Sequence, residues 1–334
     1  MPGNSQPSRG LLRATGNETR RLLPNILREL NTTHLATFSM KKNLLDLAPL
    51  EPDNCPRFPN HAEIQVIHEE TLTTALRLHP PPLNHPSNHY MPTNPSLYGN
   101  RQPNWLPLVA NFTSPPDNQP GGGWRSGTLG HEEALCYRSS LPLSLHQHNR
   151  YPLEEKSAIY SPYILVIKDS LANNHIPFNI SQPATLPVVS AITIAPLRHP
   201  ALGPGYLPCA EGQAADDTLP FCNQAGEIVL HVPMRQTTVF GDAMERMITM
   251  QKMRLVLRMA ATNRHPRIVL GAMGCGRDNG PVEDVALCWL EVLREEEFQG
   301  GWWTDVVFAV WDEAPINSRA NYEIFQRVLQ GKRV

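Results

Sequence analysis

No Lys/Arg run in this chain is longer than a pair such as Arg20-Arg21 or Lys41-Lys42, and the formal net charge is only −2. The electrostatic footprint of a duplex nucleic-acid binder is therefore missing, although a small basic pocket for a diphosphate is compatible with these numbers. The six cysteines include no CxxC pair and no His/Cys set with zinc spacing, which argues against a structural metal or a dense disulfide framework. Cys136 and Cys288 lie within apolar blocks and read as reduced core residues. The polar N-terminus lacks the apolar segment of a secretory signal. The longest apolar stretch, 186–197, contains Ser190 and Thr193 and is too short to cross a bilayer. These absences point to a soluble cytosolic or nuclear protein with no membrane partner. No Gly-Lys-Ser/Thr P-loop follows a glycine run, and no GxGxxG follows a strand, so P-loop hydrolases and dinucleotide folds are disfavoured.

What the chain does have is proline, 33 against 21 glycines, with 41% hydrophobic residues over a length of 334. The apolar blocks are spread along the chain, so the prolines imply long loops around a real core rather than disorder. Residues 1–19 read as a flexible tail and 20–37 as one or two helices broken near Pro24. Strands are expected over 63–67, 106–111, 160–167, 187–195, 267–270 and 305–311. Helices are expected over 70–78, 130–139, 242–263, 281–294 and 317–329. Eleven prolines between 79 and 120 mark most of that stretch as an insertion, and 198–236 reads as a second, irregular one. Alternating strands and helices predict an α/β/α unit with a mostly parallel sheet, whose ligand binds where strands lead into helices.

Two glycine-rich loops fall at such places. Gly121-Gly122-Gly123 precedes a helix that opens with Glu132 and Glu133, and 271–276 carries three glycines between a strand and a helix. Each alone is as easily a tight turn. Together they can approach one ligand from two sides, with backbone amides facing an anion. Neighbouring residues on a helix point about 100° apart, so Glu132 and Glu133 cannot flank one glycosidic bond as a paired acid and base. If both act, one holds a sugar hydroxyl and the other handles the proton. A helix start lowers a carboxyl pKa, whereas nearby ligand phosphates raise it. Cys275 has no assignable His/Asn partner, so it reads as packing rather than a nucleophile. His146 and His148 lack a third metal ligand and read as surface residues.

In combination these pieces resemble the bacterial-type (microbial) poly(ADP-ribose) glycohydrolase family, a catalytic branch of the macrodomain fold. That family is marked by a glycine triplet, a short spacer and Gln-Glu-Glu; here seven residues separate Gly123 from His131-Glu132-Glu133. Further blocks follow in order, among them 64–78, 109–112, 133–141, 159–162, 192–196, 268–276 and 306–309. The resemblance implies a three-layer α/β/α macrodomain-like fold with an N-terminal helical extension. It divides the chain into a tail and extension over 1–60 and a catalytic domain over 61–331, with insertions near 79–104 and 198–236.

The resemblance also implies roles. Glu133 would be the general acid/base and Glu132 the acid that binds ribose hydroxyls. Gly121, Gly122 and Gly123 would approach the ribose and diphosphate, Gly274, Cys275 and Gly276 would bind the diphosphate, and Asn111 would contact a ribose. The expected ligands are poly(ADP-ribose) or ADP-ribose and ADP-ribosylated proteins, in the turnover of ADP-ribosylation linked to the DNA damage response, with no metal or cofactor. Departures from the pattern are specific to this chain. His131 stands for Gln, and Arg277-Asp278 stand for an apolar-aromatic pair, which leaves Arg277 free to face a phosphate and Trp124 to supply an aromatic face. The implied reaction is hydrolysis of ribose–ribose O-glycosidic bonds. The alternatives are hydrolysis of single ADP-ribosyl conjugates or non-catalytic ADP-ribose reading.

Overall fold

The computed structural model describes residues 7–58, 62–78, 106–113, 119–146, 151–209, 214–222, 227–312 and 320–334. The expected insertion at 79–104 lies outside them. Seven strands form the central sheet: β1 (Met40–Asn43), β2 (Gln65–Ile67), β3 (Leu108–Phe112), β4 (Ser157–Leu165), β5 (Val188–Ile194), β9 (Arg267–Leu270) and β10 (Asp305–Ala309). Their order is β1-β4-β5-β3-β9-β10-β2. The four pairings from β5 to β2 are parallel, and the two that add β4 and β1 are antiparallel. The sheet is thus mixed and mostly parallel.

The parallel strands are short and almost wholly apolar, as expected when both faces are covered. Their side chains alternate between two cores. Leu108, Ala110, Phe112, Ile268 and Leu270 face helices α6 (Ala243–Thr262), α7 (Val282–Leu293) and α8 (Ala320–Leu329). Val109 and Val269 face the opposite layer, built from α1 (Arg9–Glu29), α3 (Thr71–Leu78), α4 (His131–Arg138) and α5 (Leu141–Leu145). Cys136, Cys275 and Cys288 are buried free thiols. Among the described residues, no helix is long and apolar enough to cross a membrane.

The N-terminal region differs from its reading as a tail. Residues 9–29 form one continuous helix, capped by Ser8, whose hydroxyl accepts the Leu11 amide at 3.2 Å. Leu12, Gly16, Thr19, Leu23, Ile26 and Leu27 make its buried stripe at helical spacing. Pro24 does not break it. Pro24 and Arg20, whose carbonyl loses its helical partner, both lie on the exposed face, where solvent can satisfy the missing bond. The chain stops being helical only at 30–32, and α2 (Thr33–Thr37) follows. The region then supplies β1 to the sheet edge, so the described residues 7–58 take part in the layered body.

Residues 198–236 also differ from expectation. They build most of a three-stranded antiparallel sheet, β6 (Leu202–Pro208), β8 (Ile228–Phe240) and β7 (Asp217–Cys222), in that spatial order. Its prolines disguised it. Pro204, Pro208 and Pro220 sit on the two edge strands, which tolerate a missing N–H. Pro233 in the central strand lies just outside the stretch 234–240 that pairs with β6. Arg235 of β8 and Arg327 of α8 both bind Glu283 of α7, which pins this sheet to the main body.

Helix α1 is the floor on which the first glycine loop rests. The Thr19 hydroxyl donates to the Tyr137 carbonyl at 2.6 Å, and Lys168 donates to the Thr15 carbonyl while pairing with Glu18 at 2.8 Å. Gly127 has φ +82°, and a Cβ there would run into the Arg9 carbonyl. Gly127→Ala therefore imposes both a left-handed backbone cost and a clash, and should lower stability by roughly 2–4 kcal/mol. Chemical denaturation of the two proteins measures this; equal midpoints would show that the loop relaxes away from α1 freely.

Candidate active site

The carboxyl ends of β2, β3, β5, β9 and β10 open onto one cleft of about 370 Å³. Each strand end contributes to its wall: Glu70 and Thr71 after β2, Phe112 from β3, Pro196 after β5, Gly274, Gly276, Arg277 and Asp278 after β9, and Val310, Trp311 and Asp312 after β10. The fourth side is the start of α4, with Gly130, His131, Glu132 and Glu133, together with Gly122. The two glycine loops thus converge on one space, as their positions between strands and helices suggest.

Glu133 is set against backbone. Its Oε1 accepts the Gly123 amide at 3.1 Å and the Thr128 hydroxyl at 3.0 Å. Gly122 has φ +55°, and a Cβ on it would stand 2.7 Å from Oε1; a Cβ on Gly130 would stand 2.5 Å from Oε2. Only glycine allows the backbone so close to the carboxylate. Both of these donors go to Oε1, so the proton of the acid form belongs on Oε2, the oxygen not engaged by Gly123 and Thr128.

Glu132 points elsewhere, as the 100° step between helix neighbours requires. Its carboxyl is buried and accepts the Thr113 hydroxyl at 2.5 Å, the Tyr151 hydroxyl at 2.8 Å and the Asn111 amide at 3.3 Å. Burial raises its pKa to about 7; the Thr113 and Tyr151 bonds oppose the rise, and the charge of Glu133 adds to it. Desolvation is the largest influence on this acid and outweighs the lowering effect of its hydrogen bonds. Glu132 therefore gains and loses its proton near neutrality.

His131 is half-buried, tilted on Phe112 at 5.4 Å, with Nε2 3.2 Å from the Ala110 carbonyl. Burial lowers its pKa, with the Ala110 contact and Glu133 pulling the other way. The carbonyl can only accept, so the neutral ring carries its proton on Nε2. This imidazole ties α4 to β3.

Five expected site residues sit differently from their sequence-derived roles. Asn111 is fully buried behind Glu132, held also by the Thr193 hydroxyl at 3.0 Å, and does not line the cleft. Alternation along β3 turns it beneath α4, so it acts on the cleft through Glu132. Trp124 is buried under the glycine loop, edge-on to Tyr137 at 6.4 Å, and offers the cleft no aromatic face. The Cys275 thiol turns into the core toward the Met273 carbonyl, and burial pushes its pKa well up. Gly121 and Gly123 support the loop without lining the cleft, whereas Gly122, Gly274, Gly276, His131 and Arg277 line it.

The aromatic faces come from Phe112 and Trp311 instead. Trp311 stacks on His68 at 5.0 Å, and Tyr322 packs on the other contact of that ring at 5.1 Å. Thr113, Thr128, Tyr151, Trp311 and Asp312 escaped sequence reading. Thr113 was within reach, because it lies two residues after Asn111 on the same strand face. Tyr151 approaches from outside any motif. His146 of the former metal candidate bonds Arg125 at 3.0 Å, and His148 lies outside the described residues. Among the described residues no three His, Cys, Asp or Glu side chains gather to hold a metal.

The Glu132 pKa has a thermodynamic consequence. Between the ordinary 4.5 and about 7 the folded protein binds more protons than the unfolded chain, so stability falls as pH rises through that window. Glu132→Gln stays neutral and does not fall. Its melting temperature should gain on wild type across this window, reaching about 3 kcal/mol of relative stability above it. A difference that stays constant with pH would place the Glu132 titration in the ordinary carboxylate range.

Residues 28–169 match the family model described as microbial-type PARG, catalytic domain. Similar solved structures include poly(ADP-ribose) glycohydrolase (PARG) from Thermomonospora curvata, with 22% identity, TM-score 0.61, and coverage of 95% of this chain and 98% of that one. The same protein bound to the inhibitor ADP-HPD is 23% identical over the same shares, with TM-score 0.59. The Deinococcus radiodurans PARG in complex with ADP-ribose is 21% identical, covering 89% of this chain and 95% of that one, with TM-score 0.58. No curated protein matches. The chain thus resembles microbial-type PARG catalytic domains in sequence over 28–169, and shares the fold of bacterial PARG structures along nearly its whole length.

Proposed function

We propose that this chain, similar over residues 28–169 to the microbial-type PARG catalytic domain, hydrolyses ribose–ribose O-glycosidic bonds of poly(ADP-ribose) and releases ADP-ribose. The observation that carries this reading is the seat of Glu133. One carboxylate oxygen is fixed by an amide and a hydroxyl against Gly122, and the other faces Gly130 at the wall of a cleft formed by strand ends.

Glu133 in its acid form gives the Oε2 proton to the leaving ribose oxygen as the glycosidic bond breaks. The sugar carbon acquires oxocarbenium character, and the carboxylate left behind takes a proton from water as that water adds to the carbon. The products are free ADP-ribose and a chain one unit shorter. Glu132, oriented by Asn111, Thr113 and Tyr151, holds ribose hydroxyls. Gly274, Cys275 and Gly276 meet the diphosphate through backbone; at Gly276 nothing lies within 4 Å of where a Cβ would stand, so that stretch is open to a ligand. The neutral His131 fixes α4 against β3 in place of a Gln amide. In this reading residues 61–331 form the catalytic unit, 1–60 braces it, and ADP-ribosylated proteins in the cytoplasm or nucleus carry its substrate.

Wild type should release ADP-ribose from purified poly(ADP-ribose), followed by mass spectrometry. Glu133→Gln should lose at least about 10²-fold in rate, the share expected of a general acid/base, while still binding ADP-ribose in calorimetry. ADP-ribose binding with no release by either protein would replace this reading with that of a reader or of a hydrolase for single ADP-ribosyl conjugates.

A further inference from the structure

The phenol one turn after Glu133 touches no substrate in the proposed reaction. Tyr137 follows Glu133 by four residues on α4, so the two side chains leave the same face of that helix. Tyr137 is fully buried, and its hydroxyl donates to the Thr128 carbonyl at 2.6 Å. Thr128 in turn donates its hydroxyl to Glu133 Oε1 at 3.0 Å and its amide to the Gly123 carbonyl at 3.2 Å. The Gly123 amide donates to the same Oε1 at 3.1 Å. Thr128 thus stands between the phenol and the carboxylate.

Thr128 belongs to no helix or strand. Its backbone is held at the amide by Gly123 and at the carbonyl by Tyr137, and the two bonds together aim its hydroxyl. The Tyr137 ring has little room to swing. Trp124 lies edge-on to it at 6.4 Å, His175 packs on it at 5.7 Å, and a Cβ on Gly16 of α1 would stand 3.4 Å from its Cε1. The Thr19 hydroxyl holds its carbonyl at 2.6 Å. Burial, with the Glu133 charge next, pushes the phenol pKa well up, so the hydroxyl keeps its proton and remains a donor. A buried tyrosine hydroxyl ordinarily finds some acceptor. Here the acceptor belongs to the residue that fixes the reacting carboxylate. The terminal torsion of a glutamate is broad and two-fold, so its two oxygens are told apart by what binds them. Resting on the function proposed above, we propose that Tyr137 is a positioning residue for hydrolysis: through Thr128 it fixes Glu133 Oε1 and keeps Oε2 turned to the scissile bond.

The test is steady-state kinetics of the full-length chain on purified poly(ADP-ribose), beside ADP-ribose calorimetry and a melting temperature for each variant. Tyr137→Phe keeps the ring and removes only the donor. Its kcat should fall about tenfold, as for one hydrogen bond felt in the transition state, while KM and ADP-ribose affinity stay within about twofold of wild type. Thr128→Val should lose a similar factor, and Thr128→Ser, which restores the hydroxyl, should recover most of that loss. Tyr137→Phe added to Thr128→Val should cost nothing further, because both act through one contact with Glu133. Losses that multiply in the double variant, or that follow melting temperature rather than the presence of the two hydroxyls, would make Tyr137 a packing residue and overturn the inference. An unchanged kcat for Tyr137→Phe beside a cleaving wild type defeats this inference alone. A wild type that neither cleaves polymer nor binds ADP-ribose defeats the proposed function itself, and the inference with it.

Discussion

Everything at the cleft depends on one carboxylate pressed against backbone. Glu133 can occupy its seat only because Gly122 and Gly130 have no Cβ, and its Oε1 is fixed by the Gly123 amide and the Thr128 hydroxyl. That seat exists only if the glycine loop is held from below. Trp124 and Gly127 do this by packing onto α1, with Gly16 of that helix cut back to admit the indole. A helix that looks like an N-terminal appendage in the sequence is therefore a structural condition of the site.

The two adjacent acids show how one helix turn yields two environments. Glu133 is held by backbone and one hydroxyl at the cleft wall. Glu132, one residue earlier, is enclosed by Asn111, Thr113 and Tyr151, and its burial raises the pKa to about 7. Neither the pattern Glu-Glu nor its place at a helix start contains this difference. It arises from what the 100° rotation brings each side chain against.

Much of the sheet was legible because buried parallel strands are apolar runs between loops, as in 108–112 and 188–194. The antiparallel sheet formed by β6, β7 and β8 was not legible, because Pro204, Pro208 and Pro220 imitate loop composition while occupying edge positions that need no N–H. The helix through Pro24 was not legible either, because tolerance of that proline depends on which face meets solvent.

The sequence by itself determined the layered α/β architecture, the two glycine loops between strands and helices, and the pair of acids beside one of them. These follow from local rules: periodicity, glycine conformation and the position of charge in a helix turn. It is the tertiary structure that puts Asn111 behind Glu132 rather than at the ligand, turns Trp124 inward while Trp311 faces the cleft, and brings Arg277 to the same cleft as Glu133. Those facts depend on which side of a strand or loop is covered by an element distant in the chain, and no local pattern encodes that.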